Sequence, residues 1–150
     1  MHAGHHIILD LYHCSDSAIR DEDLILQAFQ HAIQLSQVTA IDTLHHKFSP
    51  HGVTAIALLA ESHMSIHTWP EHGYAAIDIY TCGDNLNSEL ALQHMASVLE
   101  PQTYRTRRLE RPIIPAPPQQ AFVDSQPEQS FSHCDWQSAS ESSPIMFHAH

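Results

Sequence analysis

The chain is 150 residues long, and its 17 acidic against 6 basic residues give a formal net charge of −11, with 15 histidines counted as neutral. This length predicts one domain, and the negative charge disfavours nucleic acids and anionic membranes as partners, because both carry negative charge themselves. No apolar stretch is long enough for a membrane span, the first residues lack a signal-peptide pattern, and three cysteines do not indicate a disulfide framework, so we expect a cytoplasmic protein.

The predicted elements alternate between strands and helices. Runs rich in β-branched and aromatic residues are typical of strands, and apolar residues that recur every three to four positions are typical of amphipathic helices. A turn is expected at 15–17. In chain order, we expect a strand over 6–12, a helix over 21–37, strands over 38–48, 53–60, 65–69 and 74–81, a helix over 88–99 and a strand over 103–111.

This order of elements predicts an α+β fold. We expect a two-layer sandwich in which an antiparallel sheet carries two helices on one face. The other face of the sheet needs a cover, and the simplest cover is a second copy of the chain, so we expect the fold to dimerise. The last strand holds four of the six basic residues, which favours a solvated edge strand, because charge at an edge discourages pairing with other sheets.

The composition changes at Pro112. From there to the last residue, proline, glutamine and serine are frequent, and neither lysine nor arginine occurs. Such a segment cannot bury enough apolar surface to offset the entropy that it would lose on ordering. We therefore expect a domain over 1–111, followed by a largely disordered tail over 112–150.

The stretch over 60–83 concentrates reactive side chains. Ser62 directly follows Glu61, two histidines come next, and Cys82 lies at the end of the following apolar run. A serine in a strained turn after an acid can attack the preceding carbonyl, and elimination across its Cα–Cβ bond then cuts the chain and leaves a pyruvoyl group. That group forms a Schiff base with a substrate amine and acts as an electron sink for decarboxylation, after which a thiol can supply a proton. A Glu-Ser pair alone is a weak signal for this chemistry.

A longer pattern surrounds that pair. The run ESHMSIHTWPEHGYAAID at 61–78, followed by TCG at 81–83, closely resembles the short prokaryotic S-adenosylmethionine decarboxylase proenzymes. The segments GHH at 4–6, DLY at 10–12 and HKFSPHGV at 46–53 match the same family in order and spacing. The resemblance covers roughly residues 4–110 and excludes the proline-rich tail.

The resemblance implies a self-processing, pyruvoyl-dependent decarboxylase that converts S-adenosylmethionine into an aminopropyl donor for spermidine biosynthesis. Cleavage between Glu61 and Ser62 would give a β chain of 1–61 and an α chain of 62–150, with the pyruvoyl group derived from Ser62. The family also implies a homodimer of αβ protomers with shared sites, and no external cofactor. The roles implied for the other site residues are processing for His67, proton donation for Cys82, adenine stacking for Phe48 and ribose binding for Glu71.

One departure from the family pattern concerns processing. The family has Val-Ser-Gly where this chain has Val53-Thr54-Ala55. Thr54 keeps the hydroxyl that supports processing, but its methyl group restricts the rotamer, and Ala55 lacks the backbone freedom of glycine. We therefore expect slower cleavage. The departure leaves open a pyruvoyl decarboxylase of the same fold that acts on arginine or ornithine.

Two further interpretations are weaker. His63 and His67 lie four positions apart, which on a strand is too far for easy chelation of one ion, so we expect no metal; a non-catalytic, histidine-rich metal-binding module is the distant alternative. A hydrolase using Ser62, His67 and Asp78 is possible in principle, but we discount it, because the chain lacks the glycine-flanked elbow that such a nucleophile needs. We assign Cys14 to packing.

Overall fold

The computed structural model describes residues 2–60, 62–82, 87–112 and 129–132. Within these residues the chain forms seven strands, three α-helices and one turn of 3-10 helix. In chain order they are β1 (His2–Tyr12), α1 (Asp16–Arg20), α2 (Glu22–Leu35), β2 (Ala40–Lys47), β3 (Val53–Leu59), β4 (Ser62–Trp69), the 3-10 turn (Pro70–His72), β5 (Tyr74–Thr81), α3 (Ser88–Leu99), β6 (Thr103–Pro112) and β7 (Gln129–Ser132).

All seven strands belong to one antiparallel sheet, in the order β2-β3-β4-β5-β1-β6-β7. Three hairpins place β2 to β5 side by side, and β1 enters between β5 and β6. Helix α2 contacts β3, and α3 contacts β1 and β5, on the same side of the sheet as the apolar core. The predicted α+β sandwich with an antiparallel sheet is confirmed.

The alternation of side chains along each strand divides the sheet into two faces. In β5, Ala75, Ile77 and Ile79 are buried against the helices, whereas the residues between them are only half-buried on the opposite side. We name this second side the open face. Five large apolar side chains on it are exposed to solvent: Leu44, Ile56, Leu58, Trp69 and Leu109. Single exposed apolar residues are common on soluble proteins, but five on one face of a sheet indicate an interaction surface.

Two expectations about local structure were wrong. Residues 15–17 were expected to form a turn, but a short helix, α1, begins at Asp16; the carboxylate of Asp16 accepts a hydrogen bond from Arg20 Nε at 2.7 Å, one helical turn later. Strand β6 was expected to be an edge strand, but it lies between β1 and β7. The two expected long helices, α2 and α3, are present.

Strand β7 lies inside the segment that we expected to be largely disordered. Its four residues, Gln129–Ser132, pair with the first part of β6. Residues 113–128 and 133–150 lie outside the described residues, so the expectation for the rest of the tail remains a prediction. None of the helices described is long and apolar enough to cross a membrane.

Helix α2 begins at a side-chain cap. Asp21 Oδ1 accepts a hydrogen bond from the backbone N–H of Leu24 at 2.9 Å, and two more acidic residues follow in the first turn, where the helix dipole favours negative charge. Buried Phe29 and Ile33 on this helix then pack against the sheet. The cap therefore sets where the main covering helix starts.

Replacing Asp21 with alanine should cost about 1 kcal/mol of folding free energy, because the Leu24 N–H loses its partner. Urea unfolding followed by circular dichroism would measure this in a Ser62→Ala background, where a cut cannot divide the chain. Asp16→Ala is the matched control, since it removes only an exposed ion pair with Arg20. Equal losses from the two variants would contradict the cap.

Candidate active site

The predicted site residues lie on β4 or close to its two ends. This strand is inside the sheet, paired with β3 on one side and β5 on the other. Ser62 begins β4 and pairs with Thr81 of β5. His67 lies five positions further along and pairs with Thr54 of β3. Because a strand rises about 3.3 Å per residue, Ser62 and His67 are roughly 17 Å apart. The site residues therefore form two groups at opposite ends of the strand.

The first group, which we name the cleft, surrounds a cavity of about 540 Å³ at the end of β4. The loop between β2 and β3 forms one wall, and the N–H of Phe48 donates to the carbonyl of Gly52 at 2.8 Å to close it. Gly52 has a φ of +111°, a conformation that glycine adopts without steric cost. A cavity of this volume suits a small-molecule ligand. The predicted site residues that line it are Phe48, Thr54, His67 and Glu71.

His67 and Thr54 face each other on the open face of the sheet. Oγ1 of Thr54 lies 2.9 Å from Nδ1 of His67, which is a hydrogen-bond distance. This bond orients the imidazole ring, so that acid-base chemistry by His67 would use its other nitrogen, Nε2. The threonine hydroxyl thus contacts the histidine despite the additional methyl group.

The aromatic side chains of the cleft are accessible to a ligand. Phe48 is 49% exposed and Trp69 is 39% exposed. Trp69 stacks on Tyr74, and Tyr74 stacks on Tyr12, each with ring centroids 5.3 Å apart. Burial raises the pKa of Tyr74, and the hydrogen bond that its hydroxyl donates to Asp10 at 2.6 Å raises this pKa further, so Tyr74 stays neutral. A neutral, anchored row of rings therefore extends from the cleft.

The second group, which we name the serine cluster, consists of Ser62, His63, Asp78, His6 and Cys82. Ser62 has a φ of +152°, whereas the three other non-glycine residues with positive φ in the described part of the chain have values between +48° and +57°. A serine in this region of the Ramachandran plot carries strain of about 1–3 kcal/mol. Its partner at the expected cleavage site, Glu61, lies outside the described residues. The strain is thus located at the residue that the family resemblance marks for cleavage.

Cys82 lies just after β5, next to the residue that pairs with Ser62. It is exposed, and it directly follows Thr81, the residue paired with Ser62 across β4 and β5. The start of β1 packs closely against the same place, where a Cβ atom on Gly4 would collide with the carbonyl oxygen of Thr81. Glycine at this position therefore allows three strands to converge on the thiol and the serine.

A hydrogen-bonded network joins the other members of the serine cluster. Oδ2 of Asp78 lies 2.8 Å from Nε2 of His6 and 3.2 Å from Nε2 of His63, and Ser65 donates its hydroxyl proton to Oδ1. Burial acts to raise the pKa of Asp78, but the hydrogen bonds from Ser65 and His6 and the charges of both histidines outweigh it, so the pKa lies below its usual value. Nδ1 of His63 in turn lies 3.3 Å from Oγ of Ser62.

Among the described residues, three side chains of the same network lie close enough together to hold a metal ion. The candidate ligand atoms of His6, His63 and Asp78 lie within 4.8 Å of one another. They are hydrogen-bonded to each other, which accounts for their proximity without an ion. His67 is not part of this set. The absence of a functional metal stays a prediction.

The structure thus changes two assignments. The hydrolase arrangement of Ser62, His67 and Asp78 is not formed, because His67 lies at the other end of β4 and is bonded to Thr54. The histidine that does connect Ser62 with Asp78 is His63, for which the sequence suggested only a role as a metal ligand. In the sequence, the indication that His63 could contact Ser62 was its position directly after that serine.

Comparison with known proteins identifies similar sequences and structures. The family model for S-adenosylmethionine decarboxylase matches residues 5–112. The chain is 44% identical over 108 residues to an S-adenosylmethionine decarboxylase proenzyme of Synechococcus sp. (strain WH7803), covering 72% of this chain and 84% of that one. It is 42% identical over 111 residues to a Methanococcus maripaludis protein of the same name, with coverage of 74% and 91%.

Solved structures agree with these matches. The adenosylmethionine decarboxylase of Aquifex aeolicus superposes with a TM-score of 0.70 at 37% identity, covering 79% of this chain and 98% of that chain. A Trypanosoma brucei AdoMetDC monomer superposes with a TM-score of 0.54 at 11% identity, covering 71% of this chain and 46% of that chain. The second likeness shows a common fold alone.

The two described cysteines should differ in reactivity. Burial raises the pKa of Cys14 to about 12, so that at pH 8 only about one thiol in ten thousand is ionised, whereas Cys82 is exposed. In a Cys134→Ser background, iodoacetamide should label Cys82 and leave Cys14 unmodified, as measured by peptide mass spectrometry. Denatured protein, in which both should react, is the control; equal labelling in the native protein would contradict the assignment.

Proposed function

The chain belongs to the S-adenosylmethionine decarboxylase family, and from this we propose that the serine cluster of one protomer and the cleft of a second protomer together form its active site. The activity is decarboxylation of S-adenosylmethionine. The alternatives, an arginine or ornithine decarboxylase and a histidine-rich metal-binding module, are not supported, since the family model and the relatives carry the S-adenosylmethionine name.

The observation that carries the shared site is the separation along β4. The serine and thiol needed for processing and protonation lie roughly 17 Å from the histidine and the substrate-binding residues, so one chain cannot bring them together. A two-fold axis that runs across the strands, between two open faces, would place the start of one β4 over the end of the other. Ser62 would then meet His67 of the partner subunit.

The open face has the properties that such an interface needs. Leu44 is 71% exposed, Leu58 is 53% exposed and Ile56 is 47% exposed, and they adjoin each other on β2 and β3. Covering them stabilises the assembly by about 25 cal/mol per Å² of apolar surface removed from water. A homodimer with two sheets packed face to face would cover this apolar surface and would also bring the two parts of the site together.

Processing uses Ser62. Its hydroxyl attacks the carbonyl carbon of Glu61, and the peptide bond is exchanged for an ester. Removal of the Ser62 Cα proton, which we assign to His67 of the partner subunit, breaks the Cβ–O bond and releases the β chain, 1–61. Water then displaces ammonia from the new end of the α chain, 62–150. Strain at Ser62 favours the first step, because the exchange relieves it.

The residues present fit a pyruvoyl group at position 62. That group supplies an electrophilic carbonyl that draws electrons from the substrate carboxylate bond. Phe48 of the cleft offers an aromatic face to the adenine, and Glu71, with a half-exposed carboxylate, accepts hydrogen bonds from the ribose hydroxyls. The thiol of Cys82 donates the proton that replaces carbon dioxide. No step requires an external cofactor.

Self-cleavage is tested by the intact mass of the reduced, denatured protein. We expect two fragments divided between Glu61 and Ser62, the larger one lighter than a serine-started peptide by one ammonia. Ser62→Ala should remain a single chain. Ser97→Ala, which changes an exposed hydroxyl on α3, is the matched control and should be cut normally. An uncut wild-type chain would refute the pyruvoyl mechanism.

The shared site is tested by co-expressing differently tagged Ser62→Ala and His67→Ala chains. Each variant alone should stay uncut. In a mixed dimer, one site combines the intact Ser62 of the His67→Ala chain with the intact His67 of the other, so up to about half of the His67→Ala chains should be cut if pairing is random. A Ser62→Ala/His67→Ala double variant as partner should restore nothing. If co-expression restores no cutting, the two clusters do not act between protomers.

A further inference from the structure

We propose that His63 accepts the hydroxyl proton of Ser62 in the first step of self-cleavage, and that Asp78 and His6 hold His63 in position. This inference rests on the proposed function, and it adds a residue to which the family resemblance assigned no role. It divides the processing chemistry between two histidines, one local and one from the second protomer.

The geometry is that of a nucleophile, a base and an orienting acid. His63 Nδ1 lies 3.3 Å from Oγ of Ser62, and Nε2 of the same ring lies 3.2 Å from Oδ2 of Asp78. The imidazole therefore bridges the hydroxyl and the carboxylate through its two nitrogens, as in hydrolases that activate a serine. In the tautomer that serves this step, Nε2–H donates to Asp78, and Nδ1 accepts from Ser62.

The ring of His63, on β4, is held by side chains from two other strands, β5 and β1. Its register neighbour Tyr80 on β5 lies 5.9 Å away between ring centroids, and His6 on β1 meets it edge-on at 6.0 Å. His6 also contacts the same Oδ2 atom of Asp78 at 2.8 Å, and Ser65 occupies Oδ1. The carboxylate is thus fixed at both oxygens, so it presents a constant acceptor to His63. Side chains fixed in this way are typical of functional sites.

The step needs no additional reactant. The Ser62 proton passes from Oγ to Nδ1 of His63 as Oγ bonds to the carbonyl carbon of Glu61. The carbon–nitrogen bond then breaks while the Ser62 nitrogen takes the proton back from the imidazolium. The product is an ester with a free amino group, an isomer of the starting peptide. His63 is therefore regenerated before the elimination begins.

His67 cannot perform this step within its own chain. It lies roughly 17 Å from Ser62 along β4, and its Nδ1 atom is bonded to Thr54. Processing should consequently stop at different steps in the two histidine variants. Loss of His63 prevents ester formation, whereas loss of His67 lets the ester form but not eliminate.

Hydroxylamine distinguishes these two failures, because it cuts an ester but not a peptide bond. In His63→Asn, which keeps a polar group near the Nδ1 position but no base, we expect self-cleavage to slow about 100-fold or more, with little fragment released by hydroxylamine. In His67→Ala, hydroxylamine should release fragments cut between Glu61 and Ser62. The matched control, His31→Asn on helix α2, should be cut at the wild-type rate.

Asp78 supplies a second, independent variant in case His63→Asn does not fold. Asp78→Asn should slow ester formation about 10-fold or more, again without hydroxylamine-sensitive material, and Asp78→Glu should recover part of the rate. A merely structural role would lower the unfolding temperature without changing which intermediate accumulates, so melting curves are recorded beside the cleavage rates.

Three results would overturn the inference. One is wild-type cleavage in His63→Asn while Ser62→Ala stays uncut, which would leave the proposed function standing. A second is accumulation of hydroxylamine-sensitive ester in His63→Asn, which would place His63 after the acyl shift. The third is wild-type cleavage that stops with EDTA and returns with Zn²⁺, which would assign the cluster to a metal ion. Failure of the wild-type chain to cut at all would instead refute the proposed function.

Discussion

The pairing of β4 with both of its neighbours is the constraint on which the rest of the structure depends. Met64 and Ile66 on its inner side are fully buried, and a slip of one residue would expose both and bury the histidines. Burying such side chains stabilises the fold by about 1.5–3 kcal/mol each. That is comparable to the strain of about 1–3 kcal/mol at Ser62. The register of β4 can therefore hold Ser62 in a conformation that a free chain would avoid.

The same register separates the reactive groups. A strand has two faces and a fixed rise, so groups needed for one reaction can be stored at two ends of β4 without meeting. Under the proposed arrangement, they meet only when the open face of a second protomer packs against the first. Dimerisation then covers the exposed Leu44, Ile56 and Leu58 and completes the site in one event, which couples chain cleavage to assembly.

Sequence patterns predicted the elements that depend on local periodicity. The bounds of β5 and α3 agree with the expected 74–81 and 88–99, because alternation and the 3.6-residue repeat are both visible there. Helix α1 was missed because five residues are too few to show a period. The edge assignment of β6 was wrong because its outer partner, β7, comes from a distant segment whose composition gives no strand signal.

The candidate site likewise has features that the sequence predicted and features that it did not. The family resemblance marked Ser62, His67 and Cys82. No local pattern reveals that Ser62 lies far from His67 but close to Cys82 in the fold. The contact between His6 and Asp78 was missed for a topological reason. It requires β1 to pair with β5, and the two strands are separated by more than 60 residues of chain. Register between such distant strands cannot be obtained from periodicity alone.

Thr54 illustrates how a departure from the family pattern can be accommodated. It lies on the open face of β3, a strand position where β-branched residues fit well, and its backbone is paired directly opposite His67. The methyl group limits the side chain to fewer rotamers, yet the rotamer present places Oγ1 at 2.9 Å from the imidazole. Its neighbour Ala55 is buried and is not among the positive-φ residues, so the backbone here does not need glycine. A threonine at this position therefore exchanges the rotational freedom of a serine for a hydroxyl that is already oriented towards the histidine.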